Sequence, residues 1–149
     1  MKVKMIEEIK EYCKILKLKG ILEHFEEVSD ETKEPGEYLH KLLMHEIEEK
    51  DKKMIECRIR SAQFPYRKTI EEIEMDYLPE PMQEKLPQII SLDFIKKGKN
   101  IILTGNPGTG KTHIAIGLGL KACKIGYKVL YITIPLLVTE LKECNNVKK

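Results

Sequence analysis

The fold predicted for this chain is decided by one stretch, Ile101-Ile102-Leu103-Thr104-Gly105-Asn106-Pro107-Gly108-Thr109-Gly110-Lys111-Thr112. Its first four residues have the composition of a β-strand, and the next eight match the pattern Gly-x-x-x-x-Gly-Lys-Thr. A helical pattern follows at once, from His113 through Lys124. A strand, a glycine-rich loop and a helix in this order form the context in which a loop binds phosphate groups. The stretch therefore predicts a P-loop.

Each residue type in this loop has a physical role in holding a nucleotide. The glycines lack a Cβ, so the backbone can adopt positive φ angles and turn its N–H groups toward an anion. The helix that follows adds free N–H groups and the positive end of its dipole. Lys111 is predicted to place a cation against the β- and γ-phosphates, and the Thr112 hydroxyl is predicted to ligate Mg²⁺. The predicted nucleotide-binding residues are Gly105, Asn106, Pro107, Gly108, Thr109, Gly110, Lys111, Thr112 and the adjacent His113.

Length and composition are typical of a soluble, helix-rich protein. Of the 149 residues, 42% are hydrophobic and 34% are charged. No apolar run approaches the length that crosses a membrane, and the acidic start of the chain does not match a signal peptide. The four cysteines lie far apart, which fits reduced thiols better than disulfides or a zinc site. These features predict a cytoplasmic protein without a membrane partner.

The charge distribution gives little support for strong binding of nucleic acid. Residues 1–62 carry 13 basic and 15 acidic side chains, whereas residues 63–149 carry 13 and 9. Any contact with DNA must therefore come from local patches. The densest patch comprises Arg58, Arg60, Arg67 and Lys68, on both sides of Phe64-Pro65-Tyr66. Basic residues beside aromatic rings can hold a nucleic-acid strand, but a solvated helix end followed by a hinge is the favoured interpretation.

Three regions are predicted along the chain. Residues 1–62 show apolar positions at helical spacing and are expected to form a small all-α domain. Residues 63–95 form a connecting segment with a predicted capping box from Thr69 to Glu72 and a helix from 82 to 90. Residues 96–149 are expected to be the first part of a P-loop domain. They contain a second predicted strand, Val129–Thr133, and a last helix that begins near Pro135.

Several segments resemble the IstB family of ATP-binding proteins. Residues 105–119 and 126–131 resemble its nucleotide-binding core, while 16–21 and 58–65 are similar to its N-terminal helical region. Residues 92–95 resemble the segment just before the core strand. Members of this family are AAA+ ATPases that assist insertion-sequence transposases, and they are similar to the helicase loaders DnaC and DnaI. The resemblance implies ATP and Mg²⁺ as ligands, a transposase and double-stranded DNA as partners, and homo-oligomers in the full-length family.

The chain departs from the family pattern after the last predicted helix. The resemblance implies an acidic Walker B strand, a polar sensor residue and a trans-acting arginine there, and residues 113–149 contain none of them. In the AAA+ sheet the Walker B and sensor strands lie between the two strands predicted here. The expected fold class is therefore α/β, an all-α N-terminal domain followed by an incomplete parallel-sheet P-loop domain. Such a truncated form is not expected to hydrolyse ATP alone, so no catalytic residue is assigned.

Three alternative functions remain open at this point. A helicase loader in DNA replication uses the same nucleotide chemistry and differs in the partner that its N-terminal domain docks. A helical protein-interaction module with a non-functional P-loop would bind no ATP analogue. A small P-loop kinase would need a substrate lid, and none is recognised in the sequence.

Overall fold

The computed structural model describes residues 2–31 and 34–146, and every regular element within these ranges is helical. Two compact units comprise residues 1–56 and 57–149. Two short 3₁₀-helices are formed by Ile70–Glu72 and Met75–Tyr77. The α-helices are α1 (Lys2–Ile15), α2 (Lys19–Glu31), α3 (Pro35–Ser61), α4 (Glu80–Ile90), α5 (Asp93–Lys96), α6 (Lys111–Lys124) and α7 (Ile134–Asn146).

The first unit buries one apolar stripe from each of its helices. Phe25 and Val28 of α2 and Leu42 of α3 form its core, and Ile9 of α1 packs against them. These residues recur at the spacing that places them on one helical face, so their burial follows from the sequence pattern. The Tyr38 hydroxyl donates a hydrogen bond of 3.2 Å to the Phe25 carbonyl oxygen, which ties α3 to α2.

A buried carboxylate accepts hydrogen bonds from the N-terminus of α2. Glu46 is only 4% exposed, and its Oε2 accepts hydrogen bonds from the backbone N–H groups of Gly20 at 2.8 Å and Ile21 at 3.3 Å. The first N–H groups of a helix have no partner within the helix, so an acceptor is required when they are buried. Gly20 permits this contact, because a Cβ at that position would overlap the backbone of His45.

The second unit is built around α6. This helix buries more of its length than any other described helix, and Ile114 and Leu118 join the apolar core with Leu86 of α4 and Leu92. Gly117 and Gly119 allow other residues to approach α6 closely, because a Cβ at either glycine would lie 2.7 Å from a side-chain atom of Ile70 or Phe64, respectively. The other buried residues of α6 are Ile116, Leu120, Ala122 and Cys123.

The predicted parallel sheet is wrong. Neither Ile101–Thr104 nor Val129–Thr133 is a β-strand, and no strand occurs anywhere in residues 2–31 and 34–146. Within these ranges no backbone hydrogen bond joins the two segments. The α/β class expected from the sequence is therefore replaced, for the described residues, by helices joined by irregular segments, which include 101–104 and 129–133.

The absence of pairing has a physical cause in the position of the two segments. Alternate side chains of each segment face α6, since Leu103 and Val129 pack against the core while Ile102 is 84% and Leu130 56% exposed. In a parallel sheet the Tyr131 N–H would be available to bond to a neighbouring strand. Here it donates instead to the Ala62 carbonyl oxygen at 2.8 Å. An apolar cleft of about 250 Å³ is lined by both Leu103 and Val129, so each segment keeps the burial pattern of a strand without a neighbour.

The predictions of the capping box and of individual helices are confirmed, unlike that of the sheet. The capping box is confirmed, because the Thr69 N–H donates to Glu72 Oε1 at 2.8 Å. The helices predicted from Met82, after the glycine loop and near Pro135 are confirmed as α4, α6 and α7. Among the described helices, none is both long and apolar enough to cross a membrane.

Candidate nucleotide-binding site

The glycine loop, residues 105–110, has the backbone conformation that the motif predicts. Its three glycines have positive φ angles of 146° at Gly105, 81° at Gly108 and 78° at Gly110. A Cβ at Gly108 would meet nothing within 4 Å, so this position needs glycine for its backbone angle and not for lack of space. The loop therefore curves immediately before α6 begins at Lys111.

The N-terminus of α6 presents unpaired donors. Its first intrahelical bond runs from Ile114 N–H to the Gly110 carbonyl oxygen at 2.9 Å. The N–H groups of Gly110, Lys111, Thr112 and His113 have no acceptor within the described part of the chain. Four consecutive donors at a helix N-terminus, together with the helix dipole, favour a bound anion.

Lys111 folds back over the loop in the structure. Its Nζ donates to the Asn106 carbonyl oxygen at 2.5 Å and to Thr109 Oγ1 at 3.2 Å. The Thr109 hydroxyl in turn donates to the same Asn106 carbonyl oxygen at 2.9 Å. The cation of Lys111 thus lies against the loop and shares one carbonyl acceptor with Thr109.

Thr112 and His113 differ in what their side chains do. Thr112 is exposed, and its hydroxyl has no hydrogen-bond partner among the described residues. The His113 ring, in contrast, is used structurally, because Nε2 lies 2.8 Å from the Thr69 carbonyl oxygen and donates to it. The structure therefore leaves the Thr112 hydroxyl available to a ligand, while the His113 imidazole holds the first turn of α6 to the preceding segment.

The contact at His113 is reinforced by Glu72. The hydrogen bond from the Thr69 backbone N–H holds the pKa of the Glu72 carboxyl below its usual range, and the nearby charge of His113 acts in the same direction. The side chain of Leu78 lies 3.6 Å from where a Cβ would stand on Gly110. Residues 69–78 thus support the glycine loop from one side, a role that sequence reasoning missed although the capping box marked the segment.

A cleft of about 510 Å³ opens beside the loop, between α4 and residues 101–106, and is called the α4 cleft. This volume lies within the range of small-molecule sites. Pro79, Met82 and Ile89 provide apolar wall on one side, and Lys85 and Lys111 also line it. No Asp or Glu is among the described residues that line this cleft, so the two charged side chains there are both positive. Of the predicted site residues it contains Gly105, Asn106, Thr109 and Lys111.

The basic patch identified in the sequence does not line the α4 cleft among the described residues. Phe64 packs against Tyr131, with ring centroids 6.3 Å apart, and against α6 at Gly119. Arg60 is exposed, whereas Arg58 is half-buried and close enough to Cys123 to influence its pKa, which burial raises. The Phe64 ring is therefore occupied by packing within the second unit.

Comparison with known proteins gives consistent matches. The family model for IstB-like ATP binding proteins matches residues 12–148. A protein of Geobacillus stearothermophilus, named as an ATP-binding protein of insertion sequence IS5376, is 36% identical over 145 residues, covering 95% of this chain and 58% of the relative. A Pseudomonas aeruginosa protein named for IS21 is 33% identical over 105 residues, covering 70% and 40%.

A third relative is covered more completely. A Bacteroides fragilis protein, named as an IS21-like ATP-binding protein, is 32% identical over 139 residues, covering 91% of this chain and 70% of the relative. The chain spans roughly half the length of the first relatives, with 58%, 40% and 52% of their residues matched.

Proposed function

The chain belongs to the family of IstB-like ATP-binding proteins, and from this premise we propose that its glycine loop binds the phosphates of ATP. The observation that carries the proposal is the set of four unpaired N–H groups, from Gly110 to His113, at the end of a loop whose glycines have positive φ. These donors surround the place where a phosphate would lie, and Lys111 supplies the adjacent cation.

The residues present fit a nucleotide. The α4 cleft begins at the loop, has room for a ligand of this size and offers an apolar wall to a base. Binding requires Lys111 to exchange its bond to the Asn106 carbonyl oxygen for bonds to phosphate oxygens. This exchange is favourable because a charge-assisted bond to an anion is stronger than one to a neutral carbonyl.

Magnesium is the expected companion of ATP at this site. The Thr112 hydroxyl is exposed and next to the loop, so it is the proposed protein ligand. The described residues hold no group of three or more His, Cys, Asp or Glu placed to bind a metal. The proposed ion would therefore depend on phosphate oxygens and water for its other ligands, as Mg²⁺ commonly does. Binding of ATP in Mg²⁺ and in EDTA separates this proposal from metal-free binding.

Lys111→Ala tests the proposal directly. We expect its ATP affinity to fall by about 2–3 kcal/mol, or roughly 30- to 150-fold, because hydrogen bonds to charged groups contribute on this scale. Isothermal titration calorimetry measures the affinity, and Lys96→Ala, an exposed lysine of α5 outside the cleft, is the matched control. Equal ATP affinity in Lys111→Ala and wild type would exclude the loop as the binding site.

The wider role follows from the named functions of the relatives. They are ATP-binding proteins of insertion sequences, and we propose that this chain likewise takes part in insertion-sequence transposition. A transposase and double-stranded DNA are then its proposed partners, and the cytoplasm, which contains both DNA and ATP, its proposed location. Affinity capture with a transposase encoded beside its gene, compared with a replicative helicase, would distinguish this role from helicase loading.

A further inference from the structure

The α4 cleft contains a second cation that no motif identifies. Lys85 of α4 lines the same cleft as Lys111, while every other side chain of α4 and Pro79 that lines it is apolar. A cleft with two lysines and no carboxylate is suited to a ligand with several negative charges, because nothing within it neutralises either cation.

The place of Lys85 is set by the packing of α4. Its neighbour Leu86 is completely buried in the core, which fixes the rotation of the helix about its axis. Met82, Lys85 and Ile89 are three and four residues apart, so they form one stripe along the cleft. At the start of α4, Gln83 Nε2 donates to the Leu78 carbonyl oxygen at 2.8 Å, which holds the helix to the segment beside the loop.

Lys85 is also free to act on a ligand. Its side chain is exposed and has no ion pair or hydrogen bond within the described residues. Some other lysines of the chain form ion pairs, such as Lys10 with Glu26 at 2.7 Å. Because no counterion pairs with the Lys85 ammonium group, its charge can attract an anion that enters the cleft.

We propose that Lys85 is a second phosphate-binding cation, which contacts the phosphate chain of a nucleoside triphosphate whose other end is held by the glycine loop. This inference rests on the proposed function and extends it, because it assigns part of the binding energy to α4. The loop donors and Lys111 neutralise only part of a triphosphate's charge, and Lys85 is the remaining positive side chain of the cleft. Pro79, Met82 and Ile89 then contact the uncharged part of the nucleotide.

The test compares Lys85→Gln with wild type, using ATP and inorganic tripolyphosphate as ligands in calorimetry. We expect both affinities to fall by about three- to tenfold, the scale of a partly exposed charge pair with a multivalent anion. Lys85→Arg keeps the charge and should bind within about twofold of wild type. Lys96→Gln, which removes an exposed lysine outside the cleft, should have no effect.

The outcomes separate the two proposals. Wild-type binding together with unchanged binding by Lys85→Gln would overturn the role of Lys85 and leave the function of the loop intact. A wild-type protein that binds neither ligand would overturn both. Because Lys85 is exposed, Lys85→Gln should retain the helical circular dichroism of wild type. Lys85→Glu is an independent second variant, and an affinity for tripolyphosphate no weaker than that of Lys85→Gln would also contradict the proposal.

Discussion

Glu46 is expected to be the residue on which the packing of the first unit depends most. Replacing it with alanine removes the acceptor of a buried N–H group on Gly20 and of a partly buried one on Ile21. An unsatisfied buried donor costs about 1–3 kcal/mol, but the alanine also removes a carboxylate that is costly to bury. Among the described residues, Lys50 is the basic side chain paired with it, with Nζ 3.5 Å from Glu46 Oε1. We therefore expect Glu46→Ala to destabilise the start of α2 by about 2–4 kcal/mol.

Amide hydrogen exchange measured by NMR is the suitable assay, because it reports on individual N–H groups. A loss of about 2–4 kcal/mol corresponds to roughly 30- to 1000-fold faster exchange at Gly20 and Ile21. Glu46→Gln keeps an acceptor of the same shape without the charge, so it should lose about 1 kcal/mol. Glu48→Ala, on an exposed face of the same helix, is the control. If Glu46→Ala and Glu48→Ala exchanged at equal rates, the carboxylate would not be holding α2.

Two further predictions concern α6 and the segment beneath it. Gly117→Ala should destabilise residues 57–149 by about 1–3 kcal/mol, because its Cβ would lie 2.7 Å from Ile70 Cγ1. Gly36→Ala, whose Cβ would meet nothing within 4 Å, should stabilise α3 by about 0.5 kcal/mol. Hydrogen exchange of peptides from each region measures both changes in stability, and changes of the same sign in the two variants would contradict the argument. Because the folded-state pKa of Glu72 is lowered, its contribution to stability is complete above the ordinary value of 4.5 and is lost as pH falls through the lowered pKa. Protection of the Thr69 N–H, measured against its intrinsic exchange rate at each pH, should fall in that acid range in wild type and not in Glu72→Gln, whereas identical pH profiles would refute the link.

The glycine loop was predictable because its conformation is local. Glycines at fixed intervals permit the positive φ angles, and the helix that follows needs only its own periodicity. The same holds for the capping box at Thr69, whose two partners are three residues apart. In each case the sequence specifies both members of the interaction within one turn of chain.

The sheet was not predictable in this way because a strand requires a neighbour. Val129 and Leu103 alternate with exposed residues as strand residues do, yet the backbone between 129 and 133 bonds to Ala62. Composition reports whether a segment suits a pleated, half-buried surface, but it does not report whether a partner lies beside it. The sequence does not single out Lys85 for a related reason, since a lysine between apolar residues of a helix has the same local pattern whether it lines a cleft or faces solvent.

The loop keeps its geometry without a sheet because α6 is supported from another direction. In most P-loop sites a strand positions the loop, but here Ile70 and Phe64 press into the glycines of α6, and His113 bonds to Thr69. The His113 contact holds the first turn of the helix, with its four unpaired N–H groups, whereas the packing at Gly117 and Gly119 holds later turns. Residues 110–113 are exposed or half-buried, so water can hydrogen-bond to these donors in the absence of ligand and the cost of leaving them unpaired is small. A phosphate group would therefore meet donors already in position, and affinity should depend on α6 and residues 69–78 more than on the irregular segments 101–104 and 129–133.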